Sequence, residues 1–372
     1  MSVAEKGCSQ WKDLNDFSKY VESLHSKTRF DKTILELCHN EICNAIYGTG
    51  NPDISGIGVA VGYVLEIALG VFLSLAVLLL KRKGKASQLY QVARTGLGAF
   101  FDSAAYFALA LQLGTIAVLV RKDYGISTVD LGAIETRISQ SVAVVSMMPL
   151  LYPLALLEPV VRTSARSSMK HNARLLLLSM TIALSFYPFL SKCIHAFGVS
   201  PIGNSKDSEV SFAQWSVVED MCFPKEYRNL GTTTTYKSLD GLELTASLVV
   251  YLSSVWFLTA LPNTYYDYDE KATHGQQQGS KPSWRRLVNR WVGDRPSLAI
   301  VSLFAIVGLS VPILWMIFTL RKLQEEMSEE MGQDYNGKYW GFGQIVSIML
   351  FVPVGVEMAY QWRFRPAHEE GE

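Results

Sequence analysis

Seven long stretches of the chain are apolar and almost free of charge, and charged residues concentrate in the segments between them. A helix needs roughly 20 mostly apolar residues to cross the hydrocarbon core of a bilayer. The stretches also lack the polar face that a helix of a soluble bundle would carry. They predict an all-α integral membrane bundle of seven transmembrane helices, at residues 57–80, 98–120, 138–161, 174–197, 243–261, 298–320 and 341–362.

The charges of the connecting segments predict the orientation of this bundle. The KRKGK sequence at 81–85 and the segment 262–297 are basic, and the C-terminal tail opens with Arg363, whereas 321–340 is acidic. Because basic connections stay in the cytosol, we expect a lumenal or extracellular N-terminus and a cytosolic C-terminus. The polar N-terminal segment has no signal-peptide pattern, so the first span is expected to insert as an anchor held by KRKGK.

These assignments divide the chain into three parts: a polar lumenal segment at 1–56, a transmembrane domain at 57–362 and a cytosolic tail at 363–372. The transmembrane domain has two long connections, a lumenal loop at 198–242 and a cytosolic loop at 262–297. In the cytosolic loop, SWRRLVNRW places apolar residues on one helical face and three arginines on the other. This pattern predicts an interfacial helix on the cytosolic leaflet, with a helical linker as the alternative.

All five cysteines fall on the non-cytosolic side of this topology, at Cys8, Cys38, Cys43, Cys193 and Cys222. Oxidising compartments permit disulfides, so one or two bridges are expected. Five is an odd number, so at least one thiol remains, and the sequence leaves the connectivity open. Free cysteines that only pack in the interior are the alternative.

Composition excludes several classes of function. The formal net charge is zero, which gives no indication of a nucleic-acid partner. The histidines lack metal-ligand spacing, and no HExxH, P-loop, GxSxG or CxxC pattern occurs. Asp267 and Asp269 have the D-x-D spacing of metal–diphosphate sites, but this motif is very short. The sequence therefore predicts neither a metal nor a cofactor.

Glu66 is the deepest ionisable residue in any span, about 15 Å from the lumenal start of its helix by helical rise. Ionisable side chains inside a bilayer are costly, and each is a candidate functional group. Gly58, Gly62, Glu66, Gly70 and Ser74 follow one another at i, i+4, and small residues at this spacing mark a close helix–helix contact. We therefore expect Glu66 to face protein and to be largely protonated. It is either a general acid or a neutral hydrogen-bond partner between helices.

Four other side chains in the spans are weaker candidates. Asp102 lies one turn inside the cytosolic end of the second span, with Tyr106 on the same face, and Glu357 lies toward the cytosolic end of the seventh. These three either ring a cytosol-facing cavity or are interfacial residues within reach of water. Gln112 lies at the depth of Glu66 and is a candidate hydrogen-bond partner for it. The many aromatic residues of the spans are either interface belts or the walls of a pocket that stabilises a cation.

Three segments carry a resemblance to a known group of proteins: NPDISGIGVAVGY at 51–63, FFDSAAYFALALQL at 100–113 and WSVVEDMCF at 215–223. With the cysteine-containing N-terminal segment, this layout resembles the fungal membrane-bound terpene cyclases of the ascochlorin and ascofuranone pathways, and a relative from the macrophorin pathway. The resemblance implies cyclisation of the prenyl chain of a meroterpenoid, started by protonating a terminal epoxide or olefin. A lipophilic prenylated substrate and a location in the endoplasmic reticulum membrane are then expected.

The resemblance assigns no catalytic residue, so the candidates rank by their position in the sequence. Glu66 is first and Asp102 second as the acid, and Gln112, Tyr106 and Glu357 are the predicted substrate-binding residues. The topology also fits a seven-helix receptor or a small-solute transporter. However, DRY-like and NPxxY-like triplets are absent from the expected helix ends, and no internal repeat supports transport.

Overall fold

The computed structural model describes the segments 32–48, 50–81, 87–123, 132–157, 165–197, 241–255, 296–330 and 334–364, together with isolated positions such as Cys8 and Cys222. The described residues form helices and their connecting turns, and two short antiparallel strands, β1 (His25–Ser26) and β2 (Arg29–Phe30), pair with each other. The predicted interfacial helix, the Asp267 and Asp269 pair, most of the loop 198–242 and the loop 262–297 lie outside the described residues.

The helices of the described segments are α1 (Lys32–Leu37), α2 (His39–Tyr47), α3 (Ile57–Lys81), α4 (Gln88–Asp123), α5 (Gly132–Val145), α6 (Met148–Leu156), α7 (Ala165–Phe197), α8 (Gly241–Val255), α9 (Pro296–Glu330), α10 (Phe342–Met349) and α11 (Val352–Phe364). A 3₁₀ turn at Asn336–Lys338 precedes α10.

Five helical segments among the described residues are long and apolar enough to cross a membrane. They are Ile57–Lys81, Gln88–Arg121, Ala173–Cys193, Leu303–Glu329 and Asn336–Phe364. These segments match five of the seven predicted spans, so the all-helical class is confirmed. The third predicted span is divided at Ser146 and Met147 between α5 and α6, where Pro149 occupies the first turn of α6. Proline suits a first helical turn because it has no N–H to donate.

The small-residue row of α3 lies against protein, as its spacing predicts. A Cβ at Gly58 would lie 2.7 Å from Cβ of Gln344, and a Cβ at Gly70 would lie 3.0 Å from Cζ of Phe100. The Gln344 side chain also accepts a hydrogen bond from the backbone N–H of Gly58 at 2.8 Å, which satisfies an amide in the first turn of α3. Glycine is therefore required where α3 meets α10 and α4.

Helix α4 is the centre of the bundle and packs against α3, α5, α6, α7 and α11. Its buried face repeats every three or four residues, which is the spacing of one helical stripe. This stripe consists of Leu97, Phe100, Phe101, Ala104, Ala105 and Ala108, all fully buried. Large rings fill the core at one end, and alanines allow neighbouring helices to approach closely at the other.

One disulfide lies within the N-terminal segment, and a second joins that segment to the connection between α7 and α8. Cys8 bonds to Cys38, and Cys43 bonds to Cys222, while Cys193 is a free thiol. The expectation of one or two bridges and a remaining thiol is therefore confirmed. Helix α2, which carries Cys43, packs against α5 and α9. We call this end of the bundle, where α3 and α5 begin and α9 ends, the disulfide end.

Candidate functional site

Glu66 lies on the buried row of α3 and is 0 % exposed. Neither of its carboxyl oxygens has a hydrogen-bond partner among the residues that the structure describes. One turn earlier, a Cβ at Gly62 would lie 3.6 Å from the ring of Phe107, and one turn later Gly70 contacts Phe100. Glu66 is therefore an isolated carboxyl group on a helix face that is packed against aromatic rings.

These rings belong to an aromatic cluster that consists of Tyr63, Phe107, Phe351 and Phe100. The ring centroids are 6.0 Å apart for Tyr63 and Phe107, 5.9 Å for Phe107 and Phe351, and 6.1 Å for Phe351 and Phe100. Tyr63 donates a hydrogen bond from its hydroxyl to the carbonyl oxygen of Ile54 at 2.9 Å, which fixes its ring. Aromatic faces attract cations within about 6 Å of the ring centre, so the cluster is a suitable wall for a transient positive charge.

Gln112 does not pair with Glu66, so that hypothesis is wrong. Its side-chain amide donates hydrogen bonds to the carbonyl oxygen of Ala143 at 2.7 Å and to the hydroxyl of Ser146 at 3.3 Å. Both acceptors lie where α5 ends, at the turn before α6. At this break between α5 and α6 the helical backbone hydrogen bonds are interrupted, so backbone carbonyls need other donors. Gln112 supplies such a donor and thereby links α4 to the break.

Asp102 forms a bidentate ion pair with Arg174. The carboxylate oxygens lie 2.7 Å from Nε and 2.7 Å from Nη2 of the guanidinium, and Nη2 also donates to the carbonyl oxygen of Gly98. This fork geometry suits an ionised carboxylate. The Asp102 side chain is also 46 % exposed. The arrangement connects α4 to α7 and argues against Asp102 as a proton donor.

The other two predicted binding residues face outward. Tyr106 is 57 % exposed on α4, and Glu357 is exposed on α11. Neither converges with Asp102 on a cavity, so the expected ring around a cytosol-facing pocket is not found in the described segments. The alternative of interfacial side chains fits both positions.

A groove of about 450 Å³ opens instead between α3, α4 and α10. Its walls are mostly apolar and include Val59, Phe107, Leu111, Gly114, Val118, Val346 and Leu350. Its polar residues, Asn51, Asp53 and Arg121, lie at the disulfide end, and Ser347 lies in the wall. We call this space the groove. Sequence reasoning missed it because Asn51 and Asp53 belong to a connecting segment with no regular pattern.

A second buried carboxyl, Glu135, lies beneath the polar end of the groove. Its Oε2 accepts hydrogen bonds from the hydroxyl of Ser55 at 3.0 Å and from the side-chain amide of Gln324 at 3.3 Å. Burial raises the pKa of Glu135 to about 7, although these hydrogen bonds and the charge of Arg321 act in the opposite direction. In the sequence, Glu135 lies in a connecting segment where acidic and basic residues balance. Its burial therefore could not be predicted from the sequence.

A buried ion pair attaches α8 to the bundle. Lys192 Nζ lies 2.5 Å from Oε1 of Glu243, and the hydroxyl of Ser141 donates to the same carboxylate oxygen. The three residues come from α7, α8 and α5. Burying two charges is costly, and pairing with an added hydrogen bond offsets the cost. The pair is thus a structural tie at the disulfide end.

The described part of the chain contains no group of three His, Cys, Asp or Glu side chains that could hold a metal ion. It has the features of an integral membrane protein: helical throughout its core, with five segments able to span a bilayer. Comparisons with protein-family models, with curated proteins and with solved structures give no match.

Proposed function

We propose that this protein is a membrane-bound terpene cyclase that closes a ring in the prenyl chain of a meroterpenoid. The observation that carries the proposal is Glu66, a fully buried carboxyl whose oxygens have no partner among the described residues. An ionised carboxylate in apolar surroundings requires hydrogen bonds or a counter-charge. Because Glu66 has neither among the described residues, we infer that it retains its proton, which is the state that a general acid needs before catalysis.

The aromatic cluster supports the second part of the chemistry. Protonating a terminal epoxide breaks a C–O bond, forms a hydroxyl group on the same molecule and leaves a positive charge on carbon. Protonating an olefin forms a C–H bond at the expense of the double bond and also leaves a positive charge on carbon. The next double bond of the chain attacks this cation and closes the ring. A final proton loss restores a double bond, and the Glu66 carboxylate formed in the first step can accept that proton. The reaction is an isomerisation and consumes no co-reactant.

The groove supports a lipophilic substrate that reaches the site through the bilayer. Phe107 lines the groove and also contacts Gly62, one turn before Glu66 on the same face of α3. A prenyl chain lying in the groove would therefore approach the acid at Phe107. The volume of about 450 Å³ lies within the range of ligand pockets, roughly 300–1,000 Å³.

The proposal includes seven spans, an N-terminus in the lumen and a location in the endoplasmic reticulum. Lys81, the first residue of KRKGK, lies at the end of α3, and basic segments favour the cytosolic side. The two disulfides lie at the opposite end of the bundle, which suits an oxidising compartment. The described part of α8 and the residues of α5 and α6 that lie within 138–161 would be the two remaining spans, which leaves Glu135 outside the third span.

The test is production of a cyclic isomer in a heterologous fungal host that expresses the full chain. The host is fed a linear prenylated phenol with a terminal epoxide and, separately, the corresponding olefin. We expect a product with the mass of the substrate and a different retention time, and none from Glu66→Gln at equal membrane abundance. Unchanged substrate in the presence of abundant wild-type protein would contradict the proposal and favour the receptor or transporter alternatives.

A further inference from the structure

The groove follows a single stripe of α4. Phe107, Leu111, Gly114, Val118 and Arg121 line it in order, at spacings of three and four residues. From the first to the last of these residues the helix rises about 21 Å. The groove is therefore long and narrow and runs parallel to α4, from the aromatic cluster to the disulfide end. A single extended chain fits this shape better than a compact ligand.

Polarity changes along the length of the groove. The stripe is apolar from Phe107 to Val118, and Arg121 is its first charged residue. Asp53, from the segment before α3, lines the same end, so this end carries one positive and one negative charge. A head group with both donors and acceptors and no net charge suits this pair. A phosphate or diphosphate would meet the Asp53 carboxylate, which is unfavourable.

The polar end is held in place before any ligand arrives. The carbonyl of Ile54 accepts from Tyr63, and the backbone N–H of Asp53 donates to Oδ1 of Asn51 at 3.0 Å. A Cβ at Gly343 would lie 2.5 Å from Oδ1 of Asp53, so this carboxylate lies against the first turn of α10. The N-terminus of a helix favours a negative charge. A fixed polar end reduces the ordering cost of binding.

We propose that the groove binds a single-chain prenylated phenol, with its chain along α4 and its neutral head between Asp53 and Arg121. The identity of the occupant rests on the proposed function. The orientation follows from the groove alone and directs the far end of the chain toward Phe107, which packs against Gly62, one turn before Glu66 on α3. The enzyme would then act on the terminal double bond or epoxide and hold the aromatic head at the disulfide end.

Gly114 provides the sharpest test, since a Cβ there would meet no heavy atom within 4 Å. A Cβ at this position displaces no neighbour, and the ring of a phenylalanine would extend from it into the groove. Gly308 in α9 has the same free space but does not line the groove, so Gly308→Phe is the matched control. Ala117→Phe is a second filling variant, which lines the same stripe. Thermal unfolding of each purified variant establishes that it is folded.

The probe is a farnesylated phenol with a benzophenone on its ring, applied to the purified full chain in nanodiscs of phosphatidylcholine. We expect crosslinks near Asp53 and Arg121, and a loss of affinity of about tenfold or more in Gly114→Phe and Ala117→Phe. Gly308→Phe should bind as the wild type does. Unlabelled farnesyl phenol should compete, and farnesyl diphosphate should compete less well.

Three results would overturn the inference. They are unchanged affinity in both folded filling variants, stronger competition by farnesyl diphosphate, and crosslinks confined to residues near Phe107. The binding assay separates this inference from the proposed function. Probe binding without cyclic product leaves the groove assignment intact and contradicts the cyclase, whereas full turnover by Gly114→Phe contradicts the groove and leaves the cyclase intact.

Discussion

The hydroxyl of Ser55 donates a hydrogen bond to Oε2 of Glu135 across 3.0 Å, and both side chains are fully buried. This contact joins the segment before α3 to the first turn of α5. The same hydroxyl lies 2.9 Å from the carbonyl oxygen of Asn51, which lines the groove. The packing of the groove's polar end is therefore coupled to a carboxyl group that ionises near neutral pH.

Stability should fall as the pH rises toward neutrality because of Glu135. Burial raises the pKa of Glu135 from 4.5 to about 7 in the folded protein. Between these values the folded state binds more protons than the unfolded state, so raising the pH favours unfolding. Each tenfold difference in proton affinity corresponds to about 1.4 kcal/mol. We expect a loss of about 3 kcal/mol in the free energy of unfolding from pH 4.5 to 7.

The measurement compares denaturant or thermal unfolding of the wild type and Glu135→Gln across this pH range. The free energy of unfolding of the wild type minus that of Glu135→Gln should decline with rising pH and level off above about pH 7. Ser55→Ala should move that plateau to higher pH, because it removes a hydrogen bond that favours the ionised form. A difference curve that is flat from pH 4.5 to 7 would contradict the assignment.

Gly50→Ala should destabilise the disulfide end for two separable reasons. Gly50 has φ of +82°, and a Cβ there would clash with Cε2 of Tyr335. Gly332 has φ of +65° with no heavy atom within 4 Å, so Gly332→Ala measures the backbone strain alone. Strain of this kind costs about 1–3 kcal/mol. Gly50→Ala should lower the melting temperature further than Gly332→Ala does. Equal effects would show that the Tyr335 ring can move away from the added Cβ without a loss of stability.

The all-helical class and the row at Glu66 could be predicted from the sequence, because both depend on local patterns. Apolar length identifies a span, and the i, i+4 spacing of Gly58, Gly62 and Gly70 identifies a contact face. The residues that pack against that face could not be predicted. Gln344 and Phe100 are far from α3 in sequence, and spacing along one helix does not specify which residues approach from another.

The same limit explains the failures at the candidate site. Gln112 and Glu66 lie at equal depth, yet rotation about the axis of α4 directs Gln112 to α5. In the sequence Asp102 has no evident partner, whereas in the structure Arg174 lies beside it and forms an ion pair with it. Glu135 and Glu243 lie near the ends of helices, where the sequence suggests exposure to water. The packing of α5 against α7 and α9 buries them, and that packing has no local signature.

Asp102→Asn should leave cyclisation close to the wild-type rate. The change breaks the ion pair with Arg174, which is partly exposed, and such pairs contribute about 0–1 kcal/mol. Product formation in the heterologous host and the melting temperature of the purified protein measure the two effects. A folded Asp102→Asn protein without turnover would move the acid to this end of α4 and contradict the present ranking.

Tags at residue 1 and residue 372 should report opposite sides of the membrane. The basic KRKGK segment follows α3, and the tail after α11 opens with Arg363. Both are expected in the cytosol. A glycosylation acceptor added before residue 8 should therefore be modified and one added after residue 372 should not. Modification at the C-terminal tag alone would reverse the orientation, and modification at both would remove one span.

The substitutions at Glu66 separate a catalytic role from a structural one. Glu66→Gln retains the size and the polar head but removes the acidic proton, so turnover should fall by about 10²–10⁴-fold or more, since a general acid contributes that much. Membrane abundance should stay near normal. Glu66→Leu removes a buried polar group that has no partner among the described residues. It should also lack turnover, yet it should unfold at an equal or higher temperature, because burying an unsatisfied polar group costs about 1–3 kcal/mol.

A structural role gives the reverse pattern. If Glu66 joined helices through hydrogen bonds, Gln would support both folding and turnover, and Leu would lower the melting temperature. Position 70 offers a control on the same row, since Gly70→Ala introduces a Cβ 3.0 Å from the Phe100 ring without altering any proton donor. We expect Gly70→Ala to reduce stability and to lower turnover per folded molecule far less than Glu66→Gln does. Loss of stability in Glu66→Leu together with an active Glu66→Gln protein would exclude Glu66 as the acid. Glu135, which is also fully buried and lies near the polar end of the groove, would then be the next candidate.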